Sequence, residues 1–215
     1  MPKSAPQIKV ESTKKYGAEV VLVDGVYDDA YEKALELQEQ YGYTFVHPFN
    51  DEKVIEGQGT IGVEILKELP NTDVILCAVG GGGLISGIAC AAKQIKPNIK
   101  VYGVQSLGAP SMAASFANGY VTKLHKVKTF AEGIAVKEVG NITLDYVKEY
   151  VDDILTVNDD QILDAIKKLM QYEKLISEGA GAASLAAVLN DLVPNINENS
   201  NVVCVISGGN IDIDL

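Results

Sequence analysis

Four consecutive glycines, Gly80 to Gly83, separate the apolar run Val74-Ile75-Leu76-Cys77-Ala78-Val79 from a small-residue run that begins at Leu84. The first run is short, rich in β-branched residues and continuously apolar, as a strand buried on both faces should be. The second, Leu84 to Lys93, reads as a packed helix. Strand, glycine loop and helix together aim backbone N–H groups and a helix N-terminus at one point, so the chemistry they support is non-covalent capture of a phosphate. A β-carbon in such a loop obstructs close approach or forbids the φ values it needs. A flexible spacer is the plain alternative, but buried elements on both sides leave it little purpose.

The type of phosphate compound narrows residue by residue. No lysine follows the glycines, so the Walker pattern of a nucleoside triphosphatase is missing. The dinucleotide fingerprint G-x-G-x-x-G places Ile85 or Ser86 where its third glycine belongs, and the next strand, Val101 to Gln105, ends in an amide rather than a ribose-binding acid. A nucleotide-binding oxidoreductase domain is therefore the weakest reading. A smaller phosphate monoester remains, with pyridoxal phosphate the leading candidate.

Composition excludes other classes. The net charge of −11 argues against a nucleic-acid surface, and no apolar run is long enough to span a membrane. Cys77, Cys90 and Cys204 are widely spaced in apolar contexts and read as buried thiols of a reducing, cytoplasmic compartment. All 18 basic residues are lysine. A substrate carboxylate would thus be met by backbone N–H groups, hydroxyls, amides or lysine rather than by an arginine fork. A lysine-rich composition bias accounts for the missing arginine equally well.

The elements that must position the loop alternate between strand and helix, which points to an α/β fold with a mainly parallel sheet flanked by helices. Helices are expected over residues 9–16, 27–41, 52–69, 84–93, 109–117, 141–150, 159–173 and 179–189, with Gly57 and Gly59 disturbing the third. Strands are expected over residues 19–23, 44–47, 74–79, 101–105, 154–157 and 201–206. Asn158 stands where an N-cap belongs.

Four ordered motifs make the pattern specific: Ala78-Val79-Gly80-Gly81-Gly82-Gly83-Leu84, Ala131-Glu132-Gly133-Ile134-Ala135-Val136-Lys137, Glu178-Gly179-Ala180-Gly181-Ala182-Ala183 and Ile206-Ser207-Gly208-Gly209-Asn210-Ile211-Asp212. With them the chain resembles the C-terminal two-thirds of the catalytic domain of threonine ammonia-lyases (threonine dehydratases), fold-type-II pyridoxal-phosphate enzymes related to serine racemase. The resemblance implies that Gly80, Gly81, Gly82, Gly83 and Leu84 bind the cofactor phosphate through backbone N–H groups. It implies that Ser207 hydrogen-bonds the pyridine nitrogen and that Gly133 is a backbone neighbour of the ring. Glu178 is either a polar group near the cofactor or a carboxylate at a helix N-terminus. The implied reaction converts L-threonine, or L-serine, to a 2-keto acid and ammonia.

The departures from the family shape the rest of the reading. The family's Schiff-base lysine lies in a Ser-Phe-Lys-x-Arg-Gly-Ala segment, followed by a Ser-x-Gly-Asn-His-x-Gln-Gly loop; neither occurs here, so no catalytic residue is carried over. His47 and His125 do not replace that loop and read as surface or packing residues. Gln105 and Ser111 stand where serine racemase has metal-binding acids, so no metal site is expected. The chain reads as an N-terminally truncated catalytic domain, with residues 1–50 the remainder of a small α/β domain and residues 51–215 the large cofactor-binding domain. It is either one part of a split enzyme, completed by an N-terminal chain, or a non-catalytic remnant that still holds a phosphate. Uncovered sheet edges favour a homo-oligomer.

Overall fold

The computed structural model describes residues 1–25 and 27–211, with the side chains of Tyr27 and Asp28 also outside the description. Asp212, the last residue of the fourth motif, lies outside the described residues. The chain divides into a unit of residues 1–46 and a unit of residues 47–211.

The first unit holds α1 (Gln7–Lys15) and α2 (Tyr27–Tyr41). Gly17 and Gly42, at φ +85° and +70°, follow the two helices in the left-handed conformation that ends a helix cheaply. The strand expected over residues 19–23 reduces to a single bridge, Pro2 to Val23, and residues 44–47 form no strand. Both runs carry β-branched residues, but a strand is defined by its partner, and no ladder forms beside either run among the described residues.

The second unit is a four-stranded, all-parallel sheet in the order β3-β2-β1-β4, built from β1 (Val74–Ala78), β2 (Lys100–Ser106), β3 (Asp153–Val157) and β4 (Val202–Cys204). Val74 pairs with Lys100 on one side and with Val202 on the other, which makes β1 a central strand. Its alternating side chains feed two cores. Val74, Leu76 and Ala78 pack towards α7 (Asp159–Lys168) and α8 (Gly179–Leu189). Ile75, Cys77 and Val79 pack towards α4 (Gly83–Ile95) and α6 (Asn141–Tyr150). A sheet covered on both faces explains why β1 reads as continuously apolar rather than alternating.

Caps delimit the helices as the side chains dictate. The Asp51 carboxylate accepts from the amides of Lys53 and Val54 at the start of α3 (Glu52–Glu68). Asn158 and Gln161 form a reciprocal capping box at the start of α7. The region read as one helix to Glu173 passes at Leu169 into a π-helical turn that ends on Lys174 at φ +58°. Helix α5 (Ser111–Asn118) starts two residues later than its apolar pattern indicates, beyond Pro110. The glycines of α3 do not disturb it. A β-carbon on Gly62 would lie 2.8 Å from the Ile88 carbonyl oxygen, and one on Gly87 would lie 2.5 Å from the Gly59 amide. They let the backbones of α3 and α4 meet, and so fix the helix that follows the glycine loop.

Among the described residues no helix is long and apolar enough to cross a membrane. Burial pushes the Cys77 thiol up, and the Cys204 thiol to about 11, so both stay protonated as core residues.

Candidate functional site

The glycine loop leaves the carboxyl end of β1 and opens α4, as the strand–loop–helix pattern requires. Gly81, Gly82 and Gly83 are buried. Gly82 adopts φ +100°, a conformation that L side chains rarely reach. Among the described residues, no protein acceptor meets the amide N–H groups of Gly80, Gly81, Gly82, Gly83 or Leu84. Those from Gly82 onward are the donors that a helix start leaves without internal partners, and they coincide with the positive end of the α4 dipole.

The protein itself fills the space that side chains here would need. The Phe49 ring sits where a Gly81 side chain would go, and a β-carbon on Gly83 would lie 2.9 Å from Phe49 Cα. On the other flank, a β-carbon on Gly82 would lie 2.5 Å from Met112 Cε and 2.9 Å from Thr143 Cβ. The buried Thr143 hydroxyl donates to the Gly81 carbonyl at 2.6 Å, and the Ser86 hydroxyl donates to the Thr143 carbonyl at 3.3 Å. The glycines are thus required by packing as much as by ligand approach. Clamped on both flanks, the loop keeps its amides as its free polar edge, which fits a phosphate monoester.

Three further segments converge on the loop. A β-carbon on Gly80 would lie 3.2 Å from the Gly133 carbonyl oxygen, and one on Gly133 would lie 2.9 Å from Ala180 Cβ and 3.4 Å from Glu178 Oε1. A β-carbon on Gly208 would lie 2.7 Å from the same Glu178 oxygen, and the Glu178 amide donates to the Gly208 carbonyl at 3.0 Å. The four motifs therefore meet at one rim of the sheet, the carboxyl ends of β1 and β4. Ser207, just beyond β4, is exposed there, with its neighbour Gly208 against Glu178. Gly133 lies in the 3-10 turn Glu132–Ile134.

The turn is held by Asp159, the first residue of α7. Its carboxylate accepts from the Thr129 hydroxyl at 2.6 Å, the Ser106 hydroxyl at 3.3 Å and the Phe130 amide at 3.3 Å. The Thr129 oxygen in turn accepts from the Ala131 amide at 3.1 Å. Gln105 supports the loop from beneath. It is fully buried, donates to the Val79 carbonyl at 3.1 Å and accepts from the Ala113 amide at 2.9 Å. Ser111 Oγ is buried nearby with no hydrogen-bond partner among the described residues.

Sequence patterns missed Phe49, Asn50, Thr143 and Asp159. The Asn50 side chain accepts from the Ile142 amide and donates to Asn141 Oδ1, which ties the segment over the loop to α6. The His47 imidazole holds that segment's shape, its Nδ1 accepting from the amides of Phe49 at 3.2 Å and Asn50 at 2.8 Å. These contacts join residues far apart in the chain, and no local spacing announces them. Asp159 alone carries a local signal, an acid at the first position of a capped helix.

A parallel sheet covered by helices on both faces, with an amide loop at its carboxyl rim, is the architecture of the fold-type-II pyridoxal-phosphate enzymes. The chain belongs to the pyridoxal-phosphate dependent enzyme family, whose model matches residues 1–208. It is 48% identical over 215 residues to an L-threonine ammonia-lyase of Thermotoga maritima, covering 100% of this chain and 53% of that protein. Maize serine racemase superposes with a TM-score of 0.93 at 36% identity, over 99% of this chain and 65% of that one. The processed form of threonine deaminase isoform 2 from Solanum lycopersicum superposes with a TM-score of 0.93 at 41% identity, over 99% and 59%. The chain thus spans about half to two thirds of the length of the proteins it resembles.

Proposed function

We propose that this chain carries the cofactor-binding part of a pyridoxal-phosphate-dependent ammonia-lyase acting on L-threonine or L-serine. The observation that carries the reading is the buried loop of amides, Gly80 to Leu84, clamped between Phe49 and Thr143 at the start of α4. Pyridoxal phosphate, when bound, supplies an electron sink that labilises the bonds at an amino acid's α-carbon and so allows the β-hydroxyl to leave.

In this reading the amides of Gly80, Gly81, Gly82, Gly83 and Leu84 hold the phosphate. The Ser207 hydroxyl meets the ring nitrogen, and the Gly133 backbone lines the ring. A neutral hydroxyl at the nitrogen does not force its protonation, which tempers electron withdrawal and suits β-elimination. The clamps on the loop exclude water from the backbone behind the phosphate and keep its donors aimed. Gln105, its amide engaged at both ends, supports the loop from beneath.

None of the 18 lysines has the context of the family's anchoring lysine. We assign that lysine, and the loop for the substrate carboxylate, to polypeptide carrying the part of the relatives not matched here. Residues 1–50 are then the remainder of the small domain and residues 51–215 the large one, in a cytoplasmic homo-oligomer. With L-threonine and pyridoxal phosphate, the purified chain should release 2-oxobutanoate no faster than a no-protein control. Coexpression with the segment of the Thermotoga maritima relative that precedes its matched region should raise the rate above the control. Turnover by the chain alone would overturn the reading and place the missing base among its own lysines.

A further inference from the structure

One peptide of the glycine loop takes its direction from a side chain outside the loop. In a trans peptide the carbonyl and the following N–H point in opposite directions, and the described residues contain no cis peptide bond. Whatever binds a carbonyl of the loop therefore aims the next amide. From Gly83 onward α4 does this itself. The Gly82 carbonyl accepts from the Ser86 amide at 3.0 Å, so the Gly83 N–H points out of the helix's amino end. The Gly81–Gly82 peptide lies outside that helical ladder. Its carbonyl accepts from the Thr143 hydroxyl of α6 at 2.6 Å and only distantly, at 3.5 Å, from the Gly140 amide. The Gly82 N–H thus points away from α6, and no protein acceptor meets it among the described residues.

We propose that Thr143 is a positioning residue of the site, its hydroxyl setting the direction of the Gly82 amide and so deciding whether the loop offers an anion a donor or a carbonyl oxygen. The role rests on the reading of the loop as a phosphate site and deepens it. Both residues of the peptide are glycine, so it can turn about its flanking bonds with no β-carbon in the way. Gly82 stands at φ +100° and ψ −6°. Turning the peptide over carries that φ to the negative side and puts the Gly81 oxygen where the N–H now lies. A phosphate dianion, whose oxygens only accept, is held by the first arrangement and repelled by the second. Thr143 is fully buried, and its own carbonyl accepts from the Ser86 hydroxyl at 3.3 Å, which ties it to α4. Its hydroxyl also lies 3.1 Å from the Gly140 carbonyl, but a single proton serves the nearer oxygen, that of Gly81. Without that donor the buried Gly81 carbonyl gains by turning towards solvent.

The test compares Thr143→Ser, Thr143→Ala and Thr143→Val in the full chain. The serine and alanine variants both lack the methyl group and differ in the hydroxyl alone, whereas valine keeps the shape and loses the hydroxyl. Titration calorimetry with inorganic phosphate should show the alanine and valine variants binding about tenfold more weakly than the serine variant, which stays close to the parent. In the unliganded proteins, amide–Hα and residual dipolar couplings of Gly82 should report a positive φ for the parent and the serine variant and a negative φ for the other two. That readout separates aiming from loosening, because a variant destabilised in general keeps Gly82 at positive φ. The serine–alanine pair carries the comparison by itself if the valine variant does not fold. Equal phosphate affinity in the serine and alanine variants overturns the proposal, as does weaker binding by the alanine variant with Gly82 still at positive φ. In both cases a parent that binds phosphate and pyridoxal phosphate leaves the proposed function standing. A parent that binds neither ligand removes the proposed function, and the φ of Gly82 in the variants then judges the Thr143 hydroxyl alone.

Discussion

The ring of Phe49 lies over Gly81 and occupies the space that any side chain at residue 81 would need. The glycine loop is therefore held by the protein before any ligand reaches it. Its amides are aimed by packing from Phe49 on one flank and from Met112 and Thr143 on the other.

Gly81→Ala should consequently destabilise the chain by about 1–3 kcal/mol, the usual cost of forcing a methyl group into a filled site. Phe49→Ala vacates that site, so the double variant should lose clearly less than the sum of the two singles. Urea denaturation of the four proteins measures the coupling. Strict additivity would show that the two residues do not share the space.

His47 makes the segment over the loop sensitive to acid. Burial lowers its pKa, against a smaller opposing effect of Asp51, and the neutral ring accepts two amides at Nδ1. A group with a depressed folded pKa contributes stability that is present above its unfolded value, about 6.5 for histidine, and is lost as pH falls through the folded one. Thermal stability should thus decline on acidification below about pH 6.5. His47→Asn, which keeps an acceptor and cannot protonate, should flatten that decline. An identical pH profile in both proteins would remove His47 from the account.

Asp159 organises the turn that carries Gly133. Asp159→Ala strands the Phe130 amide and the Thr129 and Ser106 hydroxyls, and should cost about 1–3 kcal/mol. Asp159→Asn keeps one acceptor oxygen and should cost less. Chemical denaturation ranks the three proteins, and an alanine variant as stable as the parent would contradict the role.

Much of this was legible in the sequence, and the misses share a cause. The Val74 strand, the helix after the glycines and the small-residue helix Gly179–Leu189 declared themselves because local pattern and final environment agree. The runs 19–23 and 44–47 have strand-like residues yet form no ladder among the described residues, since pairing depends on a neighbour that local composition does not specify. Gly59 read as a flaw in α3 because its benefit lies on α4. The site followed the same rule. Its glycines stood out by repetition, whereas Phe49 and Thr143 reach the loop only through the fold.

Ser207 separates the ring from the phosphate in the proposed site. It is exposed, so Ser207→Ala should fold normally. Affinity for inorganic phosphate should be unchanged, and affinity for pyridoxal phosphate should fall several-fold, in keeping with about 1 kcal/mol for one hydrogen bond. Titration calorimetry with both ligands decides, and an equal loss for both would place Ser207 elsewhere in the site.

Whether the amides of Gly80 to Leu84 hold the phosphate is read most directly from backbone amide resonances of the unmodified chain during titration with inorganic phosphate and then pyridoxal phosphate. The account predicts saturable shifts at Gly81, Gly82, Gly83 and Leu84 with both ligands, while Gly119, a helix-ending glycine elsewhere in the fold, stays fixed. Binding of either ligand with those four resonances unmoved would contradict it.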